Sequence, residues 1–227
     1  MSGAPVVLVP GFATSAARTW GENGWLDLLA DIGRVPIPLD LLGSGTCEKP
    51  HDPEAYAAVE RHLLDRFPDE PVDAIGFSLG ARTLLILAAL HPERFRSLVV
   101  AGVGRNLFER DQTGERIASA IDGTGDFDDP TVRYFVQLAQ APDQDPLALA
   151  AFMRRPQDTA LTPELLGAIT CPVIVVLGDR DFAGPADPLL EVLSNARLVT
   201  LRNVDHFATP KDFGFIDAVL EHLSSSD

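Results

Sequence analysis

Short apolar runs alternate with longer amphipathic segments along most of the chain. The runs are rich in β-branched residues and mostly continuous, a pattern typical of strands buried on both faces of a sheet. They lie at residues 5–10, 35–40, 72–77, 97–102, 172–178 and 197–201. Helical patterns lie at residues 25–32, 54–67, 81–90 and 213–223. This succession predicts an α/β fold, with a mostly parallel sheet of about six strands and helices on both of its faces.

The alternation breaks off between residues 104 and 170. This segment contains polar stretches rich in Pro and Gly, and two helical patterns at residues 131–140 and 147–153. It is too long and too apolar for a plain loop between two strands. We therefore predict a small helical cap at residues 104–170, inserted into a core formed by residues 1–103 and 171–227.

A serine stands between two glycines where a predicted strand meets a predicted helix. The sequence reads IGFSLG at residues 75–80, so Ser78 is flanked by Gly76 and Gly80. In this context the frame is typical of a nucleophile in a sharp turn, where side chains at the two glycines would collide with the neighbouring strand and helix. The amide of Leu79, at the helix N-terminus, is placed to hold a developing oxyanion. The alternative is a serine that merely caps a helix.

A nucleophilic serine needs a base and a carboxylate that orients the base. His206 lies in NVDHF, residues 203–207, directly after the last predicted strand and on the same rim of the sheet as Ser78. Asp179 and Asp181, in LGDRD, follow the preceding strand, and from the residues alone either can orient the imidazole. The other histidines suggest ordinary roles: His51 lies in a Pro-rich loop, His91 ends a helix, and His62 and His222 are expected to be solvated.

Taken in order, these motifs resemble the α/β-hydrolase fold nearly from end to end. The resemblance implies a triad of Ser78, Asp181 and His206, with Asp181 favoured because the family's acid comes three residues after a strand-closing glycine, here Gly178. The turn VPGF at residues 9–12 resembles the one that supplies the second oxyanion amide, so the N–H groups of Phe12 and Leu79 are the expected oxyanion hole. Residues 40–50 (DLLGSGTCEKP) and 91–102 (HPERFRSLVVAG) resemble two further family segments.

The chain also departs from the family pattern. Pro10 replaces a frequent histidine, Cys47 stands where serine is common, and Ala81 replaces a second glycine after the nucleophile. The chain begins almost directly at the oxyanion strand, so a sheet smaller than usual is expected. Because the nucleophile position is serine, relatives that use an aspartate nucleophile, such as haloalkane dehalogenases and epoxide hydrolases, are disfavoured.

The resemblance implies a serine hydrolase that cleaves a small carboxylic ester, or a related acyl compound, through an acyl-enzyme intermediate. The alternatives are hydrolysis of a C–C bond, thioester or lactone or perhydrolysis on the same triad, and a receptor of this fold that binds a small molecule without turnover. The expected substrate-binding residues are Phe108, Tyr134, Phe135, Phe152 and Met153, together with Leu107 and Phe127. Arg154 and Arg155 are expected to be solvated rather than to meet a substrate carboxylate.

Charge and cysteine usage narrow the expected partners. Asp and Glu number 33 against 18 Lys and Arg, for a formal charge of −15, which repels nucleic acid and anionic membranes. Cys47 and Cys171 have no spacing that suggests a disulfide framework or metal site, and no metal or cofactor is expected. The longest apolar run, residues 84–90, is too short to span a bilayer and no secretory signal is visible, so a cytoplasmic protein acting on a small acyl substrate is expected. The sequence does not determine the oligomeric state.

Overall fold

Six strands form one sheet in which every neighbouring pair is parallel. The computed structural model describes residues 3–109, 113–126, 128–156 and 160–225. The strands are β1 (Pro5–Val9), β2 (Val35–Pro38), β3 (Val72–Phe77), β4 (Phe95–Ala101), β5 (Val173–Gly178) and β6 (Ala196–Leu201). Their order across the sheet is β2-β1-β3-β4-β5-β6. The predicted α/β fold and the predicted number of strands are confirmed.

The strand order reverses beside β1, and this reversal positions the functional site. From β1 the chain crosses to β2 on one side and then returns to β3 on the other. Val6 of β1 is in register with Asp73 of β3, and Val9 with Gly76, so the two strands end together. Ligands of open parallel sheets bind beyond the carboxyl ends of the strands at such a reversal. The loops that follow β1 and β3 contain Phe12 and Ser78.

The sheet lies between two apolar layers, because alternate residues of the inner strands face opposite sides. Val7 and Val9 of β1 join one buried cluster, and Val6 and Leu8 join the other. The strands β1, β3 and β5 are buried along their whole length, which explains their continuous apolar sequences. The outer strands β2 and β6 are largely exposed or half-buried.

Nine α-helices lie within the described ranges. They are α1 (Trp25–Asp31), α2 (Val59–Leu64), α3 (Leu79–Leu90), α4 (Thr113–Ile121), α5 (Pro130–Ala139), α6 (Pro146–Met153), α7 (Pro163–Leu166), α8 (Asp187–Val192) and α9 (Phe213–Ser225). Buried residues of α1 and α9 pack on one face of the sheet, and those of α2, α3 and α8 on the other. The helix expected at residues 54–67 is a 3₁₀ turn, Pro53–Tyr56, followed by α2. None of the described helices is both long and apolar enough to cross a bilayer.

Four of these helices, α4 to α7, lie between β4 and β5, in the segment predicted to be a cap. Asp129 and Asp145 accept hydrogen bonds from the first amides of α5 and α6, and a proline follows each of them, so both helices begin where the sequence supplies an N-cap. The sequence analysis did not identify α4 or α7. The division of the chain into a core and a separate cap stays a prediction.

Candidate active site

Ser78 lies in a sharp turn between β3 and α3. Its backbone has φ 52° and ψ −113°, a conformation that residues other than glycine rarely adopt. A Cβ atom at Gly76 would lie 2.6 Å from the Cα of Ala81, and one at Gly80 would collide with the carbonyl oxygens of Val9 and Pro10. The predicted collisions are confirmed: Gly76 lets α3 approach β3 this closely, and Gly80 lets it approach the end of β1.

The imidazole of His206 lies between the Ser78 hydroxyl and the Asp181 carboxylate. Its Nε2 is 3.0 Å from Ser78 Oγ, and its Nδ1 is 2.9 Å and 3.0 Å from the two oxygens of Asp181. The side chains of His206 and Asp181 are almost fully buried. Because the carboxylate faces Nδ1, the tautomer with a proton on Nδ1 leaves Nε2 free to accept the hydroxyl proton. The three residues come from loops that follow β3, β5 and β6.

Asp179, the alternative acid, lies away from His206 and has a different role. Its Oδ1 accepts a hydrogen bond from the Asn203 N–H at 2.7 Å, and Arg180 donates one to the Asn203 side chain at 2.7 Å. Asn203 adopts a left-handed conformation with φ 62°, which asparagine tolerates better than most residues. These contacts join the loop after β5 that contains Asp179 and Asp181, here called the acid loop, to the loop that contains His206.

Three of the other histidines lie in ordinary surroundings, and the fourth contradicts the expectation. His51 contacts Asp145 on the surface, His62 is exposed, and His91 is the C-cap of α3. The prediction that His222 is solvated is wrong, because its side chain is buried at the opposite end of the sheet. Its position three residues after the buried Val219 and next to the buried Leu223 is the sequence signal that could have placed it inside.

The two candidate oxyanion amides lie beside Ser78. A Cβ atom at Gly11 would lie 3.4 Å from the Ser78 Cβ, so the loop after β1 runs against the serine turn, and Phe12 follows directly. Leu79 is the first residue of α3, and its N–H is one of the amides that have no acceptor inside the helix. Phe12 and Leu79 both line the cavity that reaches Ser78.

Two cavities meet at Ser78. The larger, of about 1070 Å³, extends toward α4 and α5, and the smaller, of about 280 Å³, extends toward the π-helical turn Ala17–Gly21 and the 3₁₀ turn His206–Lys211. Ser78, Phe12 and Phe135 line both cavities. The serine hydroxyl is therefore accessible from two sides.

The residues expected to bind substrate are distributed over these cavities, with one exception. Leu107, Phe108 and Met153 line the larger cavity, and Tyr134 lines the smaller. Phe152 is placed elsewhere: it is buried behind the cavities, with its ring centroid 6.0 Å from that of Phe12 and 5.4 Å from that of Tyr56. Phe127 lies outside the described residues.

The two neighbouring arginines differ in their surroundings. Arg154 binds Glu115 and Asp122 on the surface of the helical segment. The expectation that Arg155 is solvated is wrong, because this side chain is buried with its guanidinium carbon 3.8 Å from the centre of the Phe152 ring. Burial, together with the charge of the nearby Arg82, lowers the pKa of Arg155 to about 10, and Glu60 opposes this shift.

Two aromatic rings that the sequence analysis missed cover His206. The ring centroids of Phe182 and Phe207 lie 4.3 Å and 5.3 Å from that of His206, and Phe77 contacts the same imidazole at 4.9 Å. Phe182 directly follows Asp181, and Phe207 directly follows His206. A phenylalanine directly after both the candidate acid and the candidate base is a sequence signal that could have indicated this aromatic surrounding.

Neither cysteine belongs to this site. Cys47 and Cys171 are free thiols, and desolvation raises the pKa of both, to about 11 for Cys171. A raised pKa keeps a thiol protonated and unreactive at neutral pH. Across the described ranges, no group of three or more His, Cys, Asp or Glu side chains is arranged to hold a metal ion.

A parallel six-stranded sheet with a serine in a strand–turn–helix junction defines the class of α/β-hydrolase folds. The chain belongs to the α/β hydrolase family, whose model matches residues 6–214. It is 26% identical, over 98% of its length and 84% of the relative, to the 2-hydroxy-6-oxo-6-(2'-aminophenyl)hexa-2,4-dienoic acid hydrolase of Metapseudomonas resinovorans. It is 29% identical to a pimeloyl-[acyl-carrier protein] methyl ester esterase of Neisseria meningitidis, over 82% of this chain and 83% of the relative. The names of these relatives support an assignment as a hydrolase.

Solved structures agree at the level of the fold. MenH from S. aureus superimposes with a TM-score of 0.77 over 100% of this chain and 95% of that one, at 19% identity. A serine hydrolase involved in carbazole degradation, the CarC enzyme, superimposes with a TM-score of 0.71 over 98% and 92% of the two chains, at 26% identity.

Proposed function

We propose that the protein is a serine hydrolase that cleaves carboxylic esters through an acyl-enzyme intermediate. The observation that carries the proposal is the row of hydrogen-bond distances from Ser78 Oγ to His206 Nε2, and from His206 Nδ1 to Asp181. This arrangement, together with the backbone amides of Phe12 and Leu79 as the proposed oxyanion hole, is the one that acyl transfer requires.

Acylation begins when Nε2 of His206 accepts the proton of Ser78 as Oγ bonds to the ester carbonyl carbon. The carbonyl oxygen becomes an oxyanion, and the N–H groups of Phe12 and Leu79 stabilise it. Asp181 stabilises the imidazolium and holds its orientation. The C–O bond to the alcohol then breaks as Nε2 donates its proton to the leaving oxygen, which releases the alcohol and leaves the acyl group on Ser78.

Deacylation repeats these steps with water. Nε2 accepts a proton from a water molecule whose oxygen attacks the acyl carbon, and the same amides hold the second oxyanion. Collapse of this intermediate returns the proton to Ser78 Oγ and releases the carboxylic acid. The rings of Phe182 and Phe207 shield the imidazole from bulk water, which strengthens its interaction with the buried carboxylate.

The esterase relative from Neisseria meningitidis supports an ester substrate. The relative named as the hydrolase of an oxo-dienoic acid favours a second candidate on the same residues, hydrolysis of a carbon–carbon bond in a diketone. Hydrolysis of matched ester and diketone substrates by the purified protein separates the two candidates.

Active-site labelling tests the proposal directly. The wild-type protein is expected to react with a fluorophosphonate at one serine and to hydrolyse p-nitrophenyl acetate, whereas Ser78→Ala is expected to do neither. Ser224→Ala, which changes an exposed serine of α9, is the matched control and is expected to behave as wild type. Labelling of Ser78→Ala at the wild-type level would contradict the proposal, and tight ligand binding without any turnover would support a receptor instead.

A further inference from the structure

The two cavities at Ser78 differ in size, lining and position relative to the imidazole. We propose that the larger cavity holds the acyl part of the substrate and the smaller one its leaving alcohol. The substrate class is then an ester that joins a bulky, mainly apolar acyl group to a small polar alcohol. This inference rests on the proposed function, and it replaces the expected small acyl group by a large one.

Proton transfer determines which cavity receives the leaving group. A general acid must lie within hydrogen-bond reach of the oxygen that it protonates. Among the described residues, His206 lines only the smaller cavity and Leu79 only the larger one. Because His206 borders the smaller cavity, we assign the leaving oxygen to that side, within reach of Nε2. With the oxyanion directed at the Phe12 and Leu79 amides, the acyl substituent extends into the larger cavity.

The lining of the larger cavity suits a bulky apolar group. Its volume of about 1070 Å³ is at the upper end of the range for small-molecule sites. Apolar side chains from the segment after β4 and from the helices α4 to α6 form one part of its wall: Val103, Leu107, Phe108, Ile117, Val132 and Met153. An acetyl group would leave nearly all of this surface in contact with water.

The charged residues of the larger cavity have oppositely charged neighbours. Glu109 forms an ion pair of 2.9 Å with Arg105, and Arg116 lies 3.5 Å from Asp129. Arg82, one helical turn after Ser78, lies 4.0 Å from Glu60. These contacts give the cavity no excess charge of one sign in the part that the structure describes, which favours an uncharged acyl group.

The smaller cavity is narrow and polar. Its volume is about 280 Å³, and Thr14, Thr19 and Asn23 contribute hydroxyl and amide groups to its wall. Tyr134 of α5 stacks on Phe207 with ring centroids 3.8 Å apart and forms the aromatic side of this cavity. The Tyr134–Phe207 pair thus limits the size of the alcohol that can leave.

Selectivity measured in two substrate series tests the assignment. The acyl series compares kcat/KM for methyl octanoate and methyl acetate, and the alcohol series compares methyl and benzyl hexanoate. Leu107→Trp, which narrows the larger cavity, is expected to lower the octanoate preference about tenfold and to leave the alcohol preference within about twofold. Tyr134→Ala is expected to raise benzyl over methyl turnover about tenfold and to leave the acyl preference unchanged. Leu147→Trp, at an exposed leucine of α6, is the control. The reverse pattern would overturn the inference.

A crystal structure of the phosphonylated protein tests it without variants. A p-nitrophenyl ethyl hexylphosphonate places a hexyl chain where the acyl group lies and an ethoxy group where the alcohol lies. Density for the hexyl chain against Val103 and Leu107, with the ethoxy group near Phe207, is the expected result. A Ser78 adduct with its hexyl chain in the smaller cavity would overturn this inference alone, whereas no adduct at all would remove the proposed function and the inference together.

Discussion

Two buried clusters at opposite ends of the sheet contain the same types of residue. At the carboxyl ends of the strands, His206 lies between Ser78 and Asp181. At the amino ends, the fully buried Asp73 accepts a hydrogen bond of 2.7 Å from Ser97, and the buried His222 lies within its electrostatic influence. Each cluster thus combines a serine, an aspartate and a histidine at one end of the sheet.

The clusters differ in what surrounds them. Ser78 has a strained backbone and faces two cavities, whereas the second cluster is closed by Arg34, which lies 3.2 Å from Asp73 and donates to the Leu223 carbonyl oxygen at 2.6 Å. Arg34 therefore links β3 to the last turns of α9. The comparison teaches that residue types alone do not define a site, and that access and backbone geometry separate the proposed active site from a structural cluster.

Replacing the serine of each cluster by alanine is expected to give the largest difference between the two clusters. Ser78→Ala is expected to lower ester turnover on the order of 10⁶-fold, because it removes the nucleophile, with little change in stability. Ser97→Ala is expected to lower the free energy of unfolding by about 1–3 kcal/mol, because it removes a buried hydrogen bond to Asp73, and to retain turnover. Steady-state kinetics and urea denaturation measure the two quantities. Equal losses of turnover in both variants would contradict the distinction.

The two aspartates of the acid loop give the next largest difference. Asp181→Asn is expected to reduce kcat about 10⁴-fold, since an amide no longer favours the imidazole tautomer that accepts the serine proton. Asp179→Asn keeps a carbonyl oxygen that can accept from the Asn203 N–H and is expected to change kcat less than about tenfold. A comparable loss in both variants would show that Asp179 shares the orienting role.

Removal of the charge of Asp73 is expected to affect stability instead of chemistry. Asp73→Asn removes one charge of the buried Arg34–Asp73 ion pair, which should lower the free energy of unfolding by about 3–5 kcal/mol. Asp65→Asn, which breaks an exposed i,i+4 pair with Arg61, is the control and should cost about 0.3–0.5 kcal/mol. Denaturation curves check both values, and a change below about 1 kcal/mol for Asp73→Asn would make the second cluster energetically unimportant.

The smallest expected effect is the pH dependence of stability that His222 contributes. Burial lowers the pKa of His222 below its ordinary value of 6.5, Arg197 lowers it further, and Asp73 opposes the shift. Below about pH 6.5 the unfolded chain binds a proton that the folded protein excludes, so stability falls as pH falls until the folded pKa is passed. His222→Gln should flatten this slope, whereas His62→Gln, at an exposed histidine, should preserve it. Parallel slopes for wild type and His222→Gln in denaturation series between pH 5 and pH 8 would contradict the assignment.

The sequence predicted the strands well and the cavities poorly, for one physical reason. A buried parallel strand requires a continuous apolar run, and the sheet orders the loops at strand ends, so Ser78, His206 and one of the two aspartates after β5 could be expected as neighbours. The family resemblance, and not the residues alone, favoured Asp181 over Asp179. The burial of Phe152, Arg155 and His222 depends on helices that pack across long sequence separations. The periodicity of one helix does not indicate which other helix packs against it. The amphipathic helix α4, which lies between polar turns, was not identified from the sequence.

The close approach of Gly80 to the backbone of Val9 and Pro10 couples the serine turn to the strand that begins the fold. Under the proposed function, the hydroxyl of Ser78 therefore reaches its reactive geometry only when β1 and β3 have paired and α3 has packed against them. A chain emerging from the ribosome, or one that has lost its first strand to proteolysis, therefore exposes a serine with no hydrolytic competence. Under the proposed function, turnover is a property of the completely folded protein, and its regain during refolding is expected to report completion of folding rather than collapse.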